Sequence, residues 1–188
     1  MIWGCNLFST RNPESPLVNN SNFIPPTTPD LVLNNLQSSI KQKNVDNYIS
    51  CFSDTNVNSK LQFIFTPSND ANEQFPNIFS SWNLSSERLY FNHLISNMDI
   101  GISPVLELSL ISGYFPLGPD SVSFTCNYYL FAQHNRSLTP EKYSGKIQFT
   151  FIKNSSTGWW SIRQWIDQAI INDTIPSTWS VLKAKFVN

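Results

Sequence analysis

Apolar positions along this chain follow two different periods, and the change between them divides it. Thr28-Pro29-Asp30 opens the first helix: Thr28 can cap, Pro29 suits the first helical position, and Asp30 complements the positive end of the dipole. Val32, Leu33, Leu36 and Ile40 then recur at helical spacing to about Lys43. Asn44 is a second cap, and Val45, Tyr48, Ile49 and Phe52 form a shorter helix ending near Ser53-Asp54. Residues 60–65 read as a strand stopped by Pro67. A third helix is predicted over 85–97, with Leu84, Leu89 or Tyr90, Phe91, Leu94 and Ile95 towards the core. The segment 69–81, carrying Phe75, Ile78 and Phe79, is either a loop over a cavity or a further helix.

After Pro104 the period becomes two. Residues 105–114, 122–133, 143–153 and 159–170 read as four long strands, joined by turn-rich links such as Leu117-Gly118-Pro119-Asp120 and Asn154-Ser155-Ser156-Thr157-Gly158. Strict alternation in the last strand puts Trp159, Ser161, Arg163, Trp165 and Asp167 on one face, and Trp160, Ile162, Gln164 and Ile166 on the other. Pro176-Ser177 opens a short closing helix whose Trp179, Leu182 and Phe186 are spaced to dock. Helices set against an antiparallel sheet make an α+β domain over residues 28–188. Residues 1–27, rich in Pro, Asn and Ser, form a flexible tail in which no regular element is expected.

Composition narrows the function classes. With 188 residues, 40% hydrophobic content, six Trp and fourteen Phe, one domain can build a full core. A net charge of −1 and the lack of any Lys/Arg run argue against nucleic acid. Cys5, Cys51 and Cys126 form no Cys-x-x-Cys pair, and His93 and His134 stand far apart, so neither a zinc site nor any other metal or cofactor is expected. Cys51 and Cys126 read as buried small side chains, with a disulfide between them as the alternative.

The candidate chemistry is sparse. Asp54 and Asp167 are the candidate acids or bases, each with a plain alternative in which it ties down a turn or meets a neighbouring strand. Arg163 reads either as a polar group at a pocket mouth or as a cross-sheet partner. His93 and His134 have no local nucleophile or carboxylate with which to build a catalytic pair. Tyr48, Tyr128, Tyr129, Trp159, Trp160 and Trp165 are the aromatic side chains suited to line a ligand pocket, or simply to pack. The ligand-binding set drawn from these is Tyr48, Tyr128, Trp160, Arg163 and Trp165.

Two resemblances add to this reading. The opening helix pair "TPDLVLNNLQSSIKQKNVDNYISCFSDT" and the closing strand "GWWSIRQWID" resemble the NTF2-like (cystatin-like, SnoaL-like) superfamily over about residues 28–170. The resemblance implies a curved antiparallel sheet wrapped around the N-terminal helices as a cone, with an apolar cavity at its wide end. Steroid-isomerase-like members carry a catalytic carboxylate after the first strand, just before a Pro. Here that place reads Phe65-Thr66-Pro67, and a hydroxyl does not replace such a base.

Ile2-Trp3-Gly4-Cys5 is similar to the end of a bacterial lipoprotein signal, which implies acylation of Cys5. The run Cys5-Asn6-Leu7-Phe8-Ser9-Thr10-Arg11-Asn12-Pro13-Glu14 resembles the mature start of envelope proteins that carry an NTF2-like domain. The expectation is therefore a non-catalytic, lipid-anchored envelope protein that meets the membrane through that anchor only. Its domain would bind an apolar small molecule or an envelope protein, or form a homodimer. The alternative is a small cytoplasmic enzyme of the isomerase, hydrolase or dehydratase type, acting on an apolar molecule.

Overall fold

The computed structural model describes residues 22–54, 61–110 and 112–188. Cys5 and most of the predicted tail lie outside the described residues. So do Lys60, at the start of the predicted first strand, and Ile111, within the predicted second strand.

The capping signals act as read. Thr28 Oγ1 accepts from Leu31 N–H at the head of α1 (Pro29–Lys41), and Asn44 accepts from Asn47 N–H at the head of α2 (Val45–Ile49). A short strand β1 (Ile64–Thr66) follows, then α3 (Asn69–Gln74), so the ambiguous segment holds a helix. In α4 (Leu84–Ser96) Asn83 and Ser86 form a reciprocal capping box, and Tyr90, not Leu89, faces inward. The sheet continues with β2 (Val105–Leu110), β3 (Phe115–Gly118), β4 (Ser121–Phe131), β5 (Lys142–Lys153) and β6 (Trp160–Gln168). The chain closes with α5 (Trp179–Phe186).

Sheet order is β1-β6-β5-β4-β2, with β3 beside β4. The architecture is α+β as expected, but the sheet is mixed: β1 runs parallel to β6, Phe52 adds a parallel bridge to Ile162, and the other pairings between these strands are antiparallel. The inner face is built by alternation in the long strands: Phe124, Cys126, Tyr128 and Leu130 on β4, and Ile147, Phe149 and Phe151 on β5 are all buried. Against it lie Val32, Leu36 and Ile40 of α1, Tyr48 of α2, and Tyr90, Phe91 and Leu94 of α4. Both Cys51 and Cys126 are free thiols in this core, which rules out the disulfide between them.

Strict alternation fails in β6. Phe151 pairs with Ile162 and Phe149 with Trp165, so Arg163 and Gln164 together span the width that Thr150 occupies on β5. This β-bulge brings Ile162, Trp165 and Asp167 onto the same buried face. The expected grouping of Arg163 with Trp165 and Asp167 is thereby corrected: one extra residue shifts the phase of everything upstream. Gly145, opposite Tyr128, is a needed glycine, because a Cβ there would stand 2.6 Å from both the Tyr128 hydroxyl and Gln168 O.

Candidate functional site

The interior of the cone is occupied by the chain's own last helix. Every residue of α5 except Lys185 is buried, so the helix is enclosed on all sides. Trp179 meets Trp165 edge to face at 4.6 Å, lies 5.6 Å from the Tyr128 ring, and donates from Nε1 to Tyr90 Oη at 2.8 Å. The C-terminal end of α5 is held by cations and donors. His93 Nδ1 bonds Phe186 O at 2.9 Å, and Arg136 bonds Lys185 O and lies over the Phe186 ring. His134 stacks edge-on against Phe186 and bonds Pro140 O, so both histidines support packing.

Two buried carboxylates meet this helix. Asp167 Oδ1 accepts from Tyr128 Oη at 2.9 Å, and Oδ2 accepts from Ser180 N at 2.7 Å and Ser180 Oγ at 2.5 Å. Tyr128 Oη in turn accepts from Trp179 N, and Ser180 Oγ accepts from Ser68 N. Burial raises the Asp167 carboxyl above its ordinary value, against the pull of these donors and of Lys183.

Glu87, fully buried on α4, takes Tyr48 Oη at 2.5 Å, Trp82 Nε1 at 2.7 Å, and Lys183 Nζ at 2.7 and 2.9 Å on its two oxygens. Lys183 Nζ also lies 3.5 Å from the Trp165 ring centre and 3.8 Å from that of Phe65. Desolvation lowers its pKa to about 8, while Glu87 and Asp167 resist that shift. Such a value suits a nucleophilic amine, but this one is sealed from solvent and bonded to Glu87. Chemically the arrangement is a hydrogen-bonded polar core that fixes α5, although Trp165 Nε1 within it is buried without a partner.

That core gives the stability profile a definite sign. The thiols of Cys51 and Cys126, ordinarily near 9.0, are pushed up by burial, Cys126 to about 12. Above pH 9.0 the folded chain therefore retains two protons that the unfolded chain loses, and stability falls. Buried Tyr48, Tyr90 and Tyr128, all raised well above 10.0, steepen the fall. The expected result is that denaturant midpoints measured from pH 7 to 11 fall above about pH 9, and more steeply above 10. Midpoints that stay level to pH 11 would contradict it.

The residues read from sequence are thus dispersed. Tyr48, Tyr128 and Trp165 are buried around α5, and Asp167 is bonded inside the same core. Arg163, at the bulge, has its Nε buried without a hydrogen-bond partner and is not among the partners of Asp167. Asp54 and Trp160 line surface clefts instead, together with Ser53, Leu84, Arg88 and Trp159. Thr66 is exposed at the end of β1, and no carboxylate takes its place there. Sequence reasoning passed over Glu87, Ser180 and Lys183. Lys183 carried a signal, since it falls four residues after Trp179 on the very stripe that was expected to dock. Among the described residues no cluster of three His, Cys, Asp or Glu could hold a metal, and no helix is long and apolar enough to cross a membrane.

Solved structures share this architecture. A candidate scytalone dehydratase from Novosphingobium aromaticivorans matches with a TM-score of 0.57 at 7% identity, over 79% of this chain and 89% of its own. A ketosteroid isomerase-like protein from Erwinia carotovora matches at 0.50 and 7% identity, over 75% and 92%. The chain has the NTF2-like fold. A Mycobacterium tuberculosis protein of unknown function also shares it, with a TM-score of 0.52 at 12% identity, over 84% and 90%. At such identities the likeness is one of NTF2-like fold alone. No protein-family model matches the chain, and no curated protein does.

Proposed function

We infer that this NTF2-like domain is a non-catalytic binding module, held at a bacterial cell envelope through an acylated Cys5. The observation that carries the non-catalytic part is the filled cone. Asp167, the carboxylate best placed for proton transfer inside it, is 1% exposed and spends both oxygens on Tyr128 and Ser180. A general base must reach a substrate proton, and this one reaches only its own chain. Thr66 stands at the steroid-isomerase position, so an enzyme of that type would lack its base there.

The anchor part is supported by the way the domain receives the tail. Asn35 grips the backbone of Ile24 with both ends of its amide, at 3.0 and 2.6 Å, and Pro26 O accepts from Trp160 N at 2.7 Å. A Pro/Asn/Ser segment ahead of such a clamp suits a tether. The test is the intact mass and membrane partitioning of the protein expressed in bacteria from its whole upstream reading frame, beside Cys5→Ser. A lipid-sized mass increment and membrane retention, both lost in Cys5→Ser, are expected. An unmodified chain that stays out of the membrane fraction would sink the envelope reading.

A further inference from the structure

At one end of the domain two loops each lift an aliphatic side chain clear of the surface. Ile100, between α4 and β2, and Leu138, in the hairpin between β4 and β5, are both 100% exposed. Leu138 also holds a φ of 55°, a left-handed conformation that is costly for leucine and easy for glycine or asparagine. Single exposed apolar residues are common, but these two stand on loops that are tied together. Asn135 N bonds Asn97 O at 2.8 Å, Asn135 Nδ2 bonds Asp99 Oδ1 at 3.0 Å, and Lys43 Nζ bonds Asp99 O at 2.7 Å. The base is braced, and folding gains nothing from either tip.

We propose that this end of the domain docks on an anionic phospholipid surface, with Ile100 and Leu138 entering the boundary between headgroups and acyl chains. Charge supplies the second argument. Around the tips stand Lys41, Lys43, Arg136 and Lys142 against Asp99 and Glu141, an excess of cations on a chain whose net charge is −1. An anionic bilayer complements that pattern: its lipids attract the cations, and its acyl boundary takes protruding apolar tips without any matching pocket. A protein partner would need a separate pocket for each tip, and would favour a face richer in aromatic side chains. The third argument is the course of the chain. From Thr28 back to Ile24 it runs beside α1 towards the Lys41 end, since Thr28 caps the first turn and Asn35 holds Ile24. Traced towards Cys5, the described chain is thus heading for the basic end when it reaches Ile24. The proposal adds a protein contact to the membrane contact expected at Cys5 alone, and neither contact depends on the other.

The test is sedimentation of the full chain carrying Cys5→Ser, which removes any acyl group, with two kinds of vesicle. One kind mixes phosphatidylcholine with phosphatidylglycerol, and the other is phosphatidylcholine alone. Half-binding to the mixed vesicles is expected at about 1 mM lipid, roughly tenfold weaker than a lone myristoyl chain achieves. Binding to the neutral vesicles should be weaker, and raising salt from about 0.05 to about 0.5 M should weaken binding to the mixed ones about threefold. Ile100→Ser together with Leu138→Asn should weaken it about tenfold. The same pair of changes should leave the melting temperature level or raise it, because Asn suits the left-handed turn; a structural role for the tips would lower it. The proposal is overturned if the parent fails to bind mixed vesicles at about 10 mM lipid, if it binds both kinds equally, or if the double variant binds as well as the parent. It is also overturned if the parent is a dimer that the double variant dissociates, because the tips would then cover a second copy. Failure of vesicle binding leaves the Cys5 anchor standing, and loss of the anchor leaves vesicle binding standing, so the two readings fail separately.

Discussion

Lys183→Met should destabilise the domain by about 3–5 kcal/mol, because it leaves a buried carboxylate without its cation. Glu87 would keep the Tyr48 hydroxyl and the Trp82 indole as donors, but lose both contacts to Nζ. For a chain of this size that is a fall in melting temperature of about 10 °C. Adding Glu87→Gln should recover most of the loss, bringing the double variant within about 1 kcal/mol of the parent. A neutral amide fits the same donors poorly but no longer carries an uncompensated charge, and the Met thioether can pack between the Trp165 and Phe65 rings. Thermal and denaturant melts of the three proteins decide the matter. If the single change costs under about 1 kcal/mol, or the second gives no recovery, then the pair is reached by water and the cone is not sealed.

How far this core could be read from the residues depends on which residues carried it. The helix starts at Thr28 and Asn44 were legible because capping is local: a short polar side chain and three following residues suffice. The long strands were legible because alternation in β4 and β5 runs unbroken. β6 misled because one inserted residue at Arg163 reverses the phase, and nothing in Trp160-Ser161-Ile162-Arg163-Gln164-Trp165 reveals where β5 has its single Thr150. The parallel addition of β1 joins residues 100 positions apart, as in Phe65 against Trp165, and no local pattern reports such a pairing.

The site was harder still. Asp167 and Tyr128 were singled out by residue type, yet their partners Ser180 and Trp179 come from a helix that was expected only to dock. Glu87 stands in the first turn of α4, where the helix dipole favours an acid whether exposed or not, so its position carries no sign of burial.

Trp179→Ala should cost about 3–5 kcal/mol and open the cone from within. The Trp179 ring lies against Trp165 and Tyr128 of the sheet, and its indole N–H donates to the Tyr90 hydroxyl of α4. Its removal leaves an aromatic-walled hole with one unpaired hydroxyl, and such a hole binds a ring of matching shape if the walls do not collapse. Added indole should therefore raise the melting temperature of Trp179→Ala by mass action, up to about 2.7 kcal/mol of stabilisation at a hundredfold excess over Kd. The parent protein, whose cone is full, should not respond. A variant that loses stability without any rescue by indole would mean that the sheet and α4 close on the gap, so that the cone has no cavity apart from its plug. An equal response of the parent would mean that α5 already yields to ligands, and that the non-catalytic reading rests on the wrong state. If only the variant responds, the apolar chamber implied by the fold is present in this sheet, and it is Trp179, with Ser180 and Lys183 locking the helix behind it, that withholds the chamber from any substrate.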